Sequence, residues 1–407
     1  MLDGTSFSLR RIAPAVYGPT LLFGIGQGAV LPVVALSARE LGGSVAAAAL
    51  VVALKGLGQL VGDLPAGALT ARVGERNAML GACLLTVLAL LGCVLAPSVL
   101  ALGGAIFAVG LASAVWGLAR QSYLIEAVPV PMRARALSTL GGSSRIGTFA
   151  GPFLGALTVG TLGTDGGYLV HILATALAAG LLLLLPDVTD DGSRSSRLPA
   201  PSMANVVRSH LPVLRTLGVA ALLVMAVRQS RQSVLPLWCE SIGMDAAQTS
   251  LVFGLSGAVD MLLFYPAGSV MDRFGRAAVG IPSMLVLGMA HVVLPLTSTM
   301  PAVAAVAVLM GVGNGMGAGL VMTLGADASP AVGRPGFLGA WRLVSDVGTA
   351  SGPLAVGVVA AAASLAVASI AVGGLGVAAA VGLWVWTPHR GANRTSSAQE
   401  SHGSSHH

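Results

Sequence analysis

Residues 67–76 and 268–276 share a Gly-x-x-x-x-Arg-x-Gly frame, 201 positions apart. Gly67-Ala68-Leu69-Thr70-Ala71-Arg72-Val73-Gly74-Glu75-Arg76 aligns with Gly268-Ser269-Val270-Met271-Asp272-Arg273-Phe274-Gly275-Arg276 (268 − 67 = 201). Gly147-x-x-x-Gly151-Pro152-x-x-Gly155 and Gly348-x-x-x-Gly352-Pro353 keep the offset (348 − 147 = 201). So do Pro65-Ala66-Gly67 with Pro266-Ala267-Gly268, Glu126-Ala127 with Asp327-Ala328, and Gly110 with Gly311. Val30-Leu31-Pro32 matches Val234-Leu235-Pro236 at 204 instead, which predicts a three-residue length change in the loop after the first span. Such a chain folds as two like halves about a shared axis.

The halves are built for lipid. Of 407 residues 55% are apolar and 9% charged, against about 25% charged in a soluble domain; mean hydropathy is +0.85. Apolar blocks recur at the length a helix needs to cross a hydrocarbon core of about 30 Å, and lipid leaves no backbone N–H unpaired, so the blocks are helices. Twelve spans are predicted at 12–37, 45–70, 77–95, 98–121, 136–160, 166–186, 211–238, 247–271, 278–297, 300–325, 336–360 and 364–386. The expected division is a six-helix half over 1–186, a linker over 187–209, a second half over 210–388 and a disordered tail over 389–407. An even number of spans puts both termini on one side. Arg10, Arg11, Arg72, Arg76, Arg133, Arg135, Arg194, Arg197, Arg208, Arg273, Arg276, Arg334, Arg390 and Arg394 fall on that side and Arg39 alone on the other. The positive-inside rule makes the termini side cytoplasmic, in a bacterial inner membrane.

A pI near 9.9 does not indicate nucleic-acid binding, because the basic residues form no run or separate polar domain. Cys83, Cys93 and Cys239 lack metal or redox spacing and read as small packing residues. Gly311-x-Gly313-Asn314-Gly315 has no preceding strand and is no phosphate loop. No constellation of nucleophile and base, metal or cofactor site is expected, hence no enzyme.

The repeated loop string and the Gly-Pro pattern resemble those of the major facilitator superfamily, and Gly147-x-x-x-Gly151-Pro152-x-x-Gly155-Ala156 resembles the fifth-helix motif of its 12-helix drug:proton antiporters. The first loop copy departs from the pattern, with Ala71 where the family has aspartate. The resemblance spans residues 10–388 and implies an all-α membrane fold of twelve helices in two pseudo-symmetric halves. It also implies a cavity lined by the first, fourth, seventh and tenth helices, and a secondary carrier working as a monomer by alternating access.

Two readings stand beside each motif. The loop charges Arg72, Arg76, Asp272, Arg273 and Arg276, with Glu126, Asp327 and Arg342, either form a gating latch or simply anchor the loops against helix ends, whose carbonyls are partly negative. Gly147, Gly151, Pro152, Gly155, Gly352 and Pro353 are spaced for close helix packing, or for a bend that seals the cavity.

Charges inside spans carry the functional signal, since each costs at least about 2.5–3.5 kcal/mol at the bilayer centre. These are Lys55, Arg120, Arg145, Arg228, Arg231 and Arg342 against Asp63, Asp260 and Asp346, a balance of 6 − 3 = +3. Arg120, near a span end, is expected to snorkel to the interface. Arg228, Arg231, Gln232, Arg145 and Lys55 are the expected substrate ligands, with Gln27, Trp116 and Asn314 as polar or aromatic lining. Arg228 and Arg231 repel one another unless an anion, from protein or substrate, lies near. Arg145 and Asp346 are repeat mates (346 − 145 = 201) and are expected to approach across the axis. Proton coupling needs a carboxylate whose proton affinity responds to solvent and to a neighbouring cation; Asp346, Asp63 and Asp260 are the candidates. Buried ion pairs between helices are the structural alternative for all of them. The expected function is proton-coupled efflux of a small amphipathic anion or zwitterion, a drug or metabolite, with multidrug resistance as one biological setting. The alternative is an uptake carrier or exchanger for an organic anion or metabolite.

Overall fold

A computed structural model describes residues 9–128, 132–184, 208–330 and 334–387, and among these there is no β-strand. The helices are α1 (Leu9–Val30 continued by Val33–Glu40), α2 (Val45–Val73), α3 (Glu75–Val94), α4 (Val99–Ala127), α5 (Arg133–Leu162) and α6 (Asp165–Leu184). The second half repeats them as α7 (Leu211–Ser241), α8 (Ala246–Phe274), α9 (Arg276–Leu296), α10 (Met300–Ala328), α11 (Arg334–Ala362) and α12 (Leu365–Trp386). Ten of these are apolar and long enough to cross a membrane, and α1 makes an eleventh if its two parts, bent by 42°, count as one span. The remaining helix, α5, has 30 residues, enough at about 1.5 Å per residue to cross, but its polar content, Arg145 included, keeps it below that measure. The tail from residue 388 and nearly all of the 187–209 linker lie outside the described residues.

Glycine sets the loops. α2 passes to α3 through Gly74 alone, and α8 to α9 through Gly275 alone, at φ 83° and 97°. A side chain is strained in that region, so these turns need glycine.

Glycine also sets the packing. A Cβ built on Gly147 or Gly151 would sit 2.3 Å from the carbonyl oxygen of Leu21 or Ile25 on α1. On Gly348 or Gly352 it would sit 2.4 or 2.2 Å from that of Leu222 or Ala226 on α7. These contacts are twofold mates, since 222 − 21 and 226 − 25 both equal 201. The α2–α4 contact of Gly110 with the Lys55 oxygen (2.1 Å) recurs between α8 and α10 as Gly311 with the Ser256 oxygen (2.3 Å). The 201 register therefore holds through α1 and α7 and through the positive-φ Gly42 and Gly243 beyond them, which overturns the expected slip to 204. Pro32 lies in the break of α1, whereas Pro236 lies inside a continuous helix, so the two prolines are not equivalent.

Gly151→Val should accordingly abolish folded protein at the membrane, because backbone, not a movable side chain, blocks the new atoms. Overpacking of this kind costs about 1–3 kcal/mol or more. Gly160→Ala, with nothing within 4 Å of its Cβ, should leave the yield and monodispersity of purified protein unchanged.

Candidate functional site

The halves meet along α2 with α11 and α5 with α8. Where a glycine of one half meets backbone or a ring of the other, it lies in the half of its helix farther from the termini: Gly56 on Ala350, Gly254 on Phe153, Gly357 on Ala46. The second part of α1 also packs on α7 there, and Arg39 Nε donates to both carboxylate oxygens of Glu240 at 2.9 and 3.0 Å. These two residues are themselves repeat mates, 201 apart. The side away from the termini is therefore closed by small-residue packing and one ion pair across the axis. Glu240 escaped the sequence reading; its alignment with Arg39 was the available signal.

Toward the termini, the contacts between halves are charged. Asp63 on α2 accepts from Arg342 Nη2 at 2.9 Å, and Arg342 Nε lies 3.7 Å from Asp346 on its own helix, at the expected i,i+4 spacing. Gln59 reaches Asp346 at 3.5 Å. The twofold counterpart of that contact is Arg145 with Asp260 at 3.9 Å, because 346 − 145 and 260 − 59 are both 201. Arg145 and Asp346 thus take partners at separate interfaces instead of meeting each other. Phe264, mate of Asp63, lies 4.2 Å beneath the Arg145 guanidinium. One interface has become a two-carboxyl cluster and the other a cation held between a carboxylate and a ring.

Between α4, α5, α7 and α8 lies a cavity of about 340 Å³. Arg120, Arg145 and Arg231 line it with Asp260, and Phe149 and Phe253 supply apolar wall. Arg231 donates to Ser256 Oγ at 2.7 Å and lies over Phe253, but its Nε has no partner. The buried Nε of Arg120 likewise has none, and Arg120 lines the cavity instead of snorkelling to the interface. The cause is its place on the inward face of α4, which the apolar pattern of that helix hid.

The two arginines of α7 part company. Arg228 is off this wall: it donates to Asn314 Oδ1 and to the Gly317 carbonyl, both at 2.9 Å. Gly317 lies in the break of α10 between Met316 and Leu320, and its oxygen, which also accepts from the Leu320 N–H at 3.2 Å, ties Arg228 to that break. Asn314 passes the link to Asp260 at 2.5 Å. Asp260 is thereby linked to Arg228 through Asn314 and shares the cavity wall with Arg231, answering their repulsion from within the protein. Gln27 to Ser113 at 3.3 Å is the first-half mate of the Arg228–Asn314 bond (228 − 27 = 314 − 113 = 201). Trp116 is buried and stacked on Phe23 at 4.5 Å. Gln232 bonds Gln229, and Lys55 makes no ion pair among the described residues.

The loop charges bond within their own halves. Arg76 donates to the carbonyls of Leu182 and Leu183 at the end of α6, at 3.0 and 3.1 Å. Arg276 pairs with Asp327 at 2.6 Å and approaches Asp272 at 3.9 Å, and Arg273 lies over Phe274. Arg72 ends α2. The Glu126 side chain lies outside the described residues.

Nucleoside transporter NupG superposes with TM-score 0.77 at 13% identity over 92% of this chain and 99% of that one. A POT family transporter in complex with a thioalcohol-conjugated peptide gives 0.77 at 12%, over 95% and 97%. A D-xylose-proton symporter gives 0.75 at 16%, over 94% and 99%. At such identities the likeness establishes the fold. The family profile described as Major Facilitator Superfamily matches residues 19–259 and 217–405. A duplicated all-helical membrane body with that match over nearly its whole length belongs to the major facilitator superfamily.

Proposed function

We propose that this chain is a proton-coupled secondary carrier that exports a small amphipathic anion or zwitterion by alternating access, its halves over 1–186 and 210–388 rocking about the cavity. The observation that carries the reading is the cavity wall, where three guanidinium groups face one carboxylate. A charge excess of that kind in a bilayer is stabilised only by an anionic occupant or by water. With the termini cytoplasmic, as the arginine bias indicates, closure of the opposite side corresponds to the inward-facing state. The cavity wall substrate roles fall to Arg145 and Arg231, with Arg120 added. Arg228, Asn314 and Gln27 hold the lining helices in place.

Coupling is ascribed to Asp346 and Asp63. Two carboxylates around the single Arg342 guanidinium sum to −1, and one proton makes the cluster neutral. Asp346 shares the Arg342 guanidinium with Asp63, and its Oδ2 has no hydrogen-bond partner. Because Asp63 and Arg342 sit on different halves, each rocking step parts or joins them.

Uptake is the second reading, favoured by the likeness to a protein described as a D-xylose-proton symporter. Purified protein in vesicles with a trapped pH dye decides between them. Export by antiport predicts proton movement opposite to cargo, uptake by symport predicts movement in the same direction, and a plain exchanger predicts none without counter-substrate. Absence of any cargo flux would remove the carrier reading.

A further inference from the structure

We infer that the cargo is an organic dianion carrying its two charges at opposite ends of an apolar body. The inference rests on the reading of this cavity as the cargo site and goes beyond it to charge number and placement.

Three cations and one carboxylate on the wall leave 3 − 1 = +2 to be answered. Two of the three cations hold unused donors. Arg231 is 9% exposed, faces the cavity from α7 and has its Nε free of any acceptor. Arg120 presents an equally unsatisfied buried Nε from α4. A buried donor left unmet costs about 1–3 kcal/mol, more when charged, so each marks a place where an acceptor belongs. The third cation, Arg145, already has Asp260 at 3.9 Å and the Phe264 ring beneath it.

The two open donors belong to different halves. An occupant with an anionic group at each end therefore engages both halves together, and its own length sets how closely they approach. A monoanion satisfies one donor and leaves the other buried without a partner. A zwitterion would bring its cation to Asp260 Oδ1, which has no hydrogen-bond partner and lies 3.9 Å from Arg145, and would leave one guanidinium unanswered. Phe149 and Phe253 line the same cavity and give an apolar body a surface to lie against.

The test is ligand-induced thermal stabilisation of the detergent-purified protein by four probes of similar bulk. Terephthalate has two charges at opposite ends, benzoate has one, phenyl phosphate has both at one end, and 4-(aminomethyl)benzoate is the zwitterion. Terephthalate is expected to half-saturate at a concentration at least about tenfold below that of the other three, a difference equal to about 1.4 kcal/mol. Arg120→Gln and Arg231→Gln should each bring terephthalate to the benzoate level while leaving benzoate binding measurable. Equal binding of terephthalate and benzoate overturns the dianion while leaving an anion carrier standing. Preference for phenyl phosphate overturns the two-ended placement, and preference for 4-(aminomethyl)benzoate points to a zwitterionic cargo. If no anion stabilises the wild-type protein, the cargo-site reading and this inference fall together. The four-probe comparison on wild-type protein stands even if a variant fails to fold.

Discussion

Asp346→Asn is expected to leave exchange of labelled cargo across vesicles near the wild-type rate while abolishing accumulation driven by a pH gradient. A gradient of one pH unit supplies about 1.4 kcal/mol per coupled proton, a tenfold concentration ratio. That ratio should fall to one in the variant. Asparagine keeps the shape, and its one amide oxygen can still accept from Gln59, which reaches Oδ1 at 3.5 Å, while an NH2 group replaces the Oδ2 that lies 3.7 Å from Arg342; it can neither bind nor release a proton. Asp63→Asn should lose coupling too and, by weakening the 2.9 Å bond to Arg342 between the halves, slow exchange as well. Asp260→Asn separates this cluster from its twofold counterpart. Asp260 works beside Arg145 and Asn314 in the cargo cavity, so its loss should change apparent affinity more than accumulation ratio. Undiminished pH-driven accumulation by Asp346→Asn would take coupling away from the α2–α11 interface.

Reversing Arg39 to glutamate should force open the side now closed. The pair is about one-third exposed, and simple truncation of such a pair changes the equilibrium by only about 0.2–1 kcal/mol. Reversal does more, because it sets two carboxylates face to face and also removes the 2.6 Å donation from Arg39 to the Gly43 carbonyl. Nitroxides placed at the exposed Leu41 and Ser241 should report a longer, broader distance distribution in Arg39→Glu. The double variant Arg39→Glu with Glu240→Arg should restore the short one. Cys83, Cys93 and Cys239 are buried and do not compete for the label. An unchanged distribution in the single variant would reduce the pair to a loop tether, with closure owed to the packing around Gly56, Gly254 and Gly357 alone.

Much of the architecture is legible in the chain because lipid leaves few options. The observed helix ends fall within a few residues of the expected spans, as Val45–Val73 against 45–70 and Leu365–Trp386 against 364–386 illustrate. Where the reading of the residues was incomplete, pairing was the cause. Arg228 and Arg231 look alike on a helical wheel, yet one closes the break of α10 and the other faces the cavity. Arg120 looks like an interface residue by its distance from the helix end, and only the rotation of α4, set by its packing on α2 and α3, turns it inward. The position of the α10 break was hidden in Gly313-Asn314-Gly315-Met316-Gly317-Ala318-Gly319, where several residues could have ended the helix.

Taken alone, the order of residues determined the helices, their number, the single-glycine turns and the 201-residue repeat, because each depends on hydropathy, backbone freedom or identity over short range. The tertiary structure alone decided which charges meet: Arg145 with Asp260, Arg342 with Asp63, Arg39 with Glu240. Those partners stand more than a hundred residues apart, on helices whose rotation is fixed by glycine contacts with neighbouring backbone. A shift of a few tens of degrees in any helix would exchange the partners without altering a letter of the sequence.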